Sequence, residues 1–270
     1  MFGDPSVASA RPRRAAAAAP GGVALALDRI TTAPEAGAIV LRELSLALRS
    51  GEILGVAGVT GNGQRELAEL ILGLRRPRRG IKLLWGEPAT GWSVARIRAR
   101  GVASIPDDPL ALAAVAGLTV RENLALGDIQ RYRAGLGLDW PRLAADMEKS
   151  VARLGFPPVA YDAPAAVLSG GNLQRAVLVR ELAHDPKLIV ALYPTRGLDA
   201  RSADALRAVL GAARDGGAAV LLVSEDLDEL FAASDRLIVL RDGSIAGEFA
   251  PADFRAETVG PCMVGAADAA

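Results

Sequence analysis

Cysteine occurs once in the chain, at Cys262, which excludes a disulfide framework and suits a reducing compartment. Net charge is also missing. The 31 basic residues balance 31 acidic ones, so no global attraction to nucleic acid or anionic lipid arises. Aromatic residues make only 4% of the sequence, and Trp85, Trp92 and Trp140 do not interleave with basic residues as a base-stacking platform would. Although 51% of residues are hydrophobic, no apolar run approaches the ~18–20 residues of a membrane span. The five alanines near the N-terminus fall short of the ~7–15 apolar residues of a signal segment. Residues 1–22 therefore read as a flexible tail. The basic run at 75–80 reads as a solvated connecting loop.

The apolar runs that do occur are short and unbroken. "EILGVAG" (52–58), "LIVALY" (188–193) and "AAVLLV" (218–223) have the length of strands buried on both faces of a parallel sheet. Each is followed by a helical pattern: Leu67, Leu70, Ile71 and Leu74 after the first, Leu206, Val209, Leu210 and Ala213 after the second, "EDLDELFAAS" after the third. "RLIVLRDGSIAGEF" (236–249) reads as a hairpin, because Asp242-Gly243 can supply the positive φ of a type I′ turn. Residues 119–167 break the rhythm with helical patterns interrupted by prolines and no convincing strand, which predicts a helical insertion in an α/β core.

Two stretches carry the chemistry. In "GVTGNGQRE", Gly58, Gly61 and Gly63 have the spacing of a phosphate-binding loop, followed by Asn62-flanked Gln64, Arg65 and Glu66 where Lys-Ser/Thr would stand. A working loop lysine reaches the β- and γ-phosphates and the next hydroxyl binds Mg²⁺. Gln64 is neutral, Arg65 cannot ligate a metal, and Glu66 is expected to add negative charge beside the phosphates. In "VLSGGNLQRAVLVRELAHDPKLIVALYPTRGLDA" (167–200), Ser169 is placed to cap a helix carrying Leu173, Val177 and Leu178. Gly170 and Gly171 leave the backbone bare there, so that an anion can approach the helix N-terminus.

The second stretch resembles the signature motif, Walker B strand and D-loop of ABC-transporter ATPase domains. The order of elements agrees over about residues 24–250: the glycine loop takes the Walker A place, "GVASIPDD" the Q-loop place and "LLVSEDLDEL" the switch place. "GNGQREL" and "PTRGLD" are similar to the second ATPase domain of tandem proteins serving sugar and nucleoside importers. The resemblance implies a P-loop NTPase (RecA-like) α/β core with a mostly parallel sheet, an antiparallel β part and an inserted helical subdomain. Its bounds are 23–255 for the domain, about 119–180 for the helical part, and 256–270 for a C-terminal tail.

Against the family pattern, the Asp-Glu pair that binds metal and acts as base becomes Leu192-Tyr193, and the switch histidine becomes Glu225. Asp107 stands at the Q-loop position. The only histidine, His184, reads as a cation at the end of the signature helix. No aromatic residue lies between 23 and 40 to stack an adenine. Each lost charge-assisted contact is worth roughly 1.5–3 kcal/mol, so several together remove most of the ~8 kcal/mol of a micromolar site.

ABC domains work as head-to-tail pairs, with each ATP between one domain's Walker A and the other's signature. The resemblance therefore implies that Ser169, Gly170, Gly171 and Gln174 contact ATP and Mg²⁺ held by a consensus partner domain, with Gly197, Leu198 and Asp199 as D-loop. The local site has no catalytic residue and no metal ligand. Membrane permease subunits, and indirectly a solute-binding protein, are the further partners implied, with no nucleic acid. The chain would sit in the cytoplasm, peripheral on the inner membrane face. A different class, a non-catalytic interaction module that kept the fold, is the alternative.

Overall fold

The computed structural model describes residues 21–265. The expected N-terminal tail lies outside the described residues except for Gly21 and Gly22, whose backbones pair with Ser50 (Gly21 N to Ser50 O, 2.8 Å; Ser50 N to Gly22 O, 3.0 Å).

Strands β1 (Val23–Thr32) and β2 (Leu44–Arg49) pair antiparallel, and β3 (Ile53–Ala57) opens a second sheet, with α1 (Gln64–Leu72) after it. The chain returns to the first sheet as β4 (Pro77–Leu84) and β5 (Glu87–Pro88), giving the order β2-β1-β4-β5. Helix α2 (Val94–Ala99) leads into β6 (Val102–Ile105). Two short helices follow, α3 (Pro109–Leu112) and α4 (Val120–Ala125), the latter started by a Thr119–Glu122 capping box. A minimal hairpin, β7 (Arg133–Ala134) and β8 (Gly137–Leu138), precedes α5 (Trp140–Leu154) and α6 (Gly170–Leu182). The chain then alternates β9 (Leu188–Leu192), α7 (Ala200–Asp215), β10 (Ala219–Val223) and α8 (Leu227–Ala233). It ends in the hairpin β11 (Arg236–Arg241) and β12 (Ser244–Phe249), followed by α9 (Ala256–Val264).

The second sheet has the order β12-β11-β3-β10-β9-β6, parallel except for β12. Every residue of β3, β9 and β10 is buried, which is why these runs are apolar throughout instead of alternating. Their carboxyl ends are level. Val223 lies opposite Val56 on one side and Leu192 on the other, and Ile105 lies opposite Ala191. The segments that follow these four strands therefore meet along one edge, where open α/β sheets bind ligands. Asp242 (φ 48°) and Gly243 (φ 75°) make the type I′ turn of the terminal hairpin.

The structure corrects four readings. Helix α1 stops at Leu72, because Gly73 turns left-handed (φ 79°), so Leu74 is 65% exposed and not part of the apolar face. The basic run is only partly a connecting loop: β4 starts at Pro77, and Arg75 turns inward to Glu35 and Glu69, each at 2.9 Å. The segment 119–167 holds the two-residue strands β7 and β8 besides its helices. The expected tail from 256 begins as helix α9, held because Val259 is buried and Arg241 Nη1 donates to the Cys262 carbonyl at 3.1 Å. Among the described residues no helix is long and apolar enough to cross a membrane.

Candidate functional site

The glycine loop between β3 and α1 is closed by its own side chains. Gln64, the first residue of α1, is 2% exposed and folds back: its Oε1 accepts from Asn62 N at 3.1 Å and its Nε2 donates to Val59 O at 3.0 Å. A phosphate-binding loop works through backbone N–H groups aimed at the anion, and here the Asn62 amide is already taken. Asn62 also fastens the loop to the terminal hairpin. Its Oδ1 accepts from Asp242 N and its carbonyl from Gly243 N, both at 3.0 Å. Arg65 lies along the helix surface against Glu69 (3.0 Å). Glu66 does not stand free beside a phosphate position: its Oε1 accepts from Ile39 N at 3.0 Å, holding the segment before β2. Sequence spacing could not show this, because the partner lies 27 residues away.

Across the strand ends, side chains from three loops join. Thr60 donates to one oxygen of Glu225, and the other oxygen of Glu225 pairs with Arg196 Nη2 at 3.5 Å. The Arg196 guanidinium lies 4.6 Å from the centre of the Tyr193 ring. Leu192 and Tyr193 are both buried, and Tyr193 sits at φ 45°. Burial and the nearby Glu225 carboxylate raise the Tyr193 hydroxyl above its ordinary pKa, so it stays protonated at neutral pH. Asp107, at the end of the β6 segment, has a buried Oδ1 without a hydrogen-bond partner. Thr60 and Arg196 were not singled out by sequence reasoning. The signal that was available is the arginine inside "PTRGLD".

These residues do not fit ATP–Mg²⁺. An apolar side chain and a protonated phenol replace the metal ligands, a carboxylate that could ligate is neutralised by Arg196, and Gln64 fills the loop. Among the described residues no group of three or more His, Cys, Asp or Glu side chains is arranged to hold a metal ion.

The start of α6 is different. Ser169 Oγ accepts from Asn172 N at 3.4 Å as the helix cap, and Ser169 and Gly170 are exposed. A Cβ built on Gly170 meets open space, whereas one built on Gly171 falls 2.8 Å from the Gly197 carbonyl oxygen. The two glycines thus have separate reasons. Gly170 leaves the helix N-terminus sterically open; Gly171 in addition makes room for the Gly197 carbonyl of the same chain. Gln174, expected to face a partner's nucleotide, is 2% exposed and donates from Nε2 to Pro194 O at 3.1 Å. Asp199 caps α7, with Oδ1 accepting from Ser202 N at 2.8 Å and Oδ2 from Ser202 Oγ at 3.0 Å. These bonds hold its carboxyl below the usual carboxylate range. Leu198 packs partly into the core and Gly197 (φ 76°) is exposed.

His184 lies just past α6 at an exposed position, with Nε2 3.3 Å from the Tyr132 hydroxyl. Burial lowers its pKa below the ordinary value. That shift disfavours the expected helix-end cation.

A glycine loop and a capped, glycine-bearing helix start, both set at the carboxyl edge of a parallel sheet, define a P-loop nucleotide-binding cassette. The chain belongs to the ATP-binding domain family of ABC transporters, whose "ABC transporter" model matches residues 41–195. It is 38% identical, over 93% of its length, to a glucose import ATP-binding protein of Haloferax volcanii. Identity is 34% over the same share to a nucleoside import ATP-binding protein of Lactococcus lactis subsp. cremoris. The chain spans about half the length of these curated relatives, 46% and 50% respectively. Among solved structures, an ATP-binding cassette in a dimeric post-hydrolysis state with ADP and Pi aligns with a TM-score of 0.73 at 22% identity, covering 84% of this chain and 98% of that one. A nucleotide-free cassette aligns with a TM-score of 0.74 at 22% identity, over 90% and 97%. Both share the fold.

Proposed function

We propose that this chain completes the ATP site of a partner ATPase domain in an ABC importer for sugars or nucleosides, while its own site is silent. The asymmetry between its two half-sites carries this reading. Ser169 and Gly170 present an open helix N-terminus, whereas Gln64 and the Thr60–Glu225–Arg196–Tyr193 network fill the local loop. A bare, positively polarised helix end suits a phosphate brought by another domain. ATP and Mg²⁺ would be held chiefly by that domain. The import role and the choice of sugars or nucleosides follow the relatives' descriptions. A groove of about 410 Å³ between the core and the helical part, bordered by Arg98, Leu126, Ile129 and Arg180, offers a place for a permease. Leu126 and Ile129 are exposed at its edge, and exposed Leu112 and Val115 line an adjoining hollow that shares Arg98, Leu126 and Arg180, apolar surface of the kind that marks a docking site. The location is then the inner membrane face, with a solute-binding protein engaged only through the permease.

The test is ATPase activity of this chain reconstituted with a consensus partner domain. Gly170→Asp is the sharpest variant, because aspartate in a first helical turn favours the helix while repelling an incoming phosphate. It is expected to lower turnover by about a hundredfold, the scale of one lost oxyanion-type donor. Ser169→Arg should do the same and in addition remove the cap. Gly61→Asp puts a carboxylate into the local loop at a backbone φ of 89°, so its folding is checked by circular dichroism, and the folded variant should leave most activity. A larger loss from Gly61→Asp than from Gly170→Asp would reverse the roles of the two sites; no loss from either would favour an interaction module.

A further inference from the structure

Three contacts from one face of α6 grip the D-loop of the same chain. Gly171 lets the Gly197 carbonyl approach to within 2.8 Å of where a Cβ would stand. Gln174 Nε2 donates to Pro194 O at 3.1 Å from a buried position. Arg175 Nη1 reaches both Asp199 Oδ2 and Ser202 Oγ at 3.3 Å. Its other nitrogen donates to Asn172 Oδ1, and only 15% of the side chain is exposed. Positions 171, 174 and 175 have the i, i+3, i+4 spacing of a single helix face. The contacts therefore fall at the beginning, middle and end of the segment 194–199.

The far side of that segment is held as well. Arg196 N donates to Tyr193 O at 3.0 Å and Leu198 N to Thr195 O at 3.1 Å, closing the turn. The Arg196 side chain is tied to Glu225 and stacked on Tyr193, and Glu225 in turn accepts from Thr60 of the glycine loop. The D-loop is thus clamped between the signature helix and the filled local site by this chain's own side chains alone.

Resting on the function proposed above, we infer that Arg175 is a positioning residue, supported by Gln174 and by the Arg196–Glu225 pair. It fixes the D-loop to the signature helix so that both face the partner's nucleotide as one unit without any nucleotide in the local site. In this arrangement intrachain ion pairs do what a locally bound ligand would otherwise have to do. The signature surface is pre-organised, and the ordering cost at the moment of pairing is reduced.

The experiment has two arms. In the full chain alone, hydrogen exchange at the amides of 195–199 is followed with and without ATP and Mg²⁺. The expected result is protection that nucleotide does not change. Arg175→Ala is expected to accelerate exchange there about tenfold while leaving the β10 amides at their wild-type rates, because the opening is local. Asp199→Asn should add little on top of Arg175→Ala, since the two residues share one contact, and Arg175→Lys should restore part of the protection. Unchanged exchange at 195–199 in Arg175→Ala, or equal acceleration in β10, would overturn the clamp. So would protection that appears only with nucleotide.

In the reconstituted pair, normalised to folded protein, Arg175→Ala is expected to lower kcat about tenfold with KM for ATP changed less than about twofold, the pattern of lost transition-state positioning. A loosened D-loop with wild-type kcat would overturn the functional part of the inference. Gly170→Asp in the same assay judges the partner-site reading separately. If that variant is fully active, the partner-site reading fails while the exchange arm still decides the clamp.

Discussion

Gln64 Oε1 accepts the backbone N–H of Asn62 at 3.1 Å, so the residue standing where the family has its phosphate-binding lysine is hydrogen-bonded into the loop it would have served. With its amide nitrogen on Val59 O, the side chain takes both a donor and an acceptor of the loop and leaves no charge for a phosphate. The purified chain alone is expected to show no Mg²⁺-dependent ATP hydrolysis above background. Gln64→Lys alone should not restore it, because Leu192 and Tyr193 still supply neither ligand nor base. Phosphate release from the isolated chain measures both. Turnover in the wild-type chain that disappears in Gly61→Asp would refute a silent local site.

The two signature glycines should separate cleanly in stability. Gly171→Ala brings a methyl group against the Gly197 carbonyl oxygen, and forced overpacking of this kind costs about 1–3 kcal/mol. Gly170→Ala meets open space and should be neutral or slightly stabilising, since alanine exceeds glycine in helix propensity by about 1 kcal/mol. Urea denaturation of the two variants reads the difference. Equal effects would mean that Gly171 has no packing role.

Lys82 caps the far end of the loop helix from inside the core. Its Nζ donates to Leu70 O at 2.7 Å and Ile71 O at 3.1 Å, and burial lowers its pKa from 10.5 to about 8. Between these two values the unfolded chain holds the proton and the folded chain does not. This group's contribution to stability is therefore constant below pH 8 and rises with pH through the window. Stability of the wild type relative to Lys82→Met should climb from about pH 8 to 10, measured by urea midpoints in a pH series. A flat difference would show that the Lys82 ammonium ionises as it does in water.

The unbroken apolar runs of β3, β9 and β10, the Asp242-Gly243 turn and the Ser169 cap were legible in the sequence, because each expresses a local rule: burial on both faces, a backbone angle, a side chain reaching its own next turn. The residue types at the motif positions, Gln64 and Leu192-Tyr193, are read directly from the sequence, and the silence of the local site that they imply is what the ATPase measurement tests. The contacts these residues make were not legible. Thr60 and Glu225 are separated by 165 residues and Arg196 and Glu225 by 29, and only the level ends of three parallel strands bring them together. The same holds for the packing of Gly171, whose missing side chain makes room for the Gly197 carbonyl. It holds for Glu66, turned to Ile39; for His184, whose ring meets the Tyr132 hydroxyl 52 residues away; and for α9, whose anchoring Val259 meets its neighbours only once the terminal hairpin is in place. Sequence determined which strands, turns and caps form and which residue types stand at the motif positions. Tertiary structure alone decided what each side chain touches, because those contacts depend on distances the chain acquires only by closing the sheet.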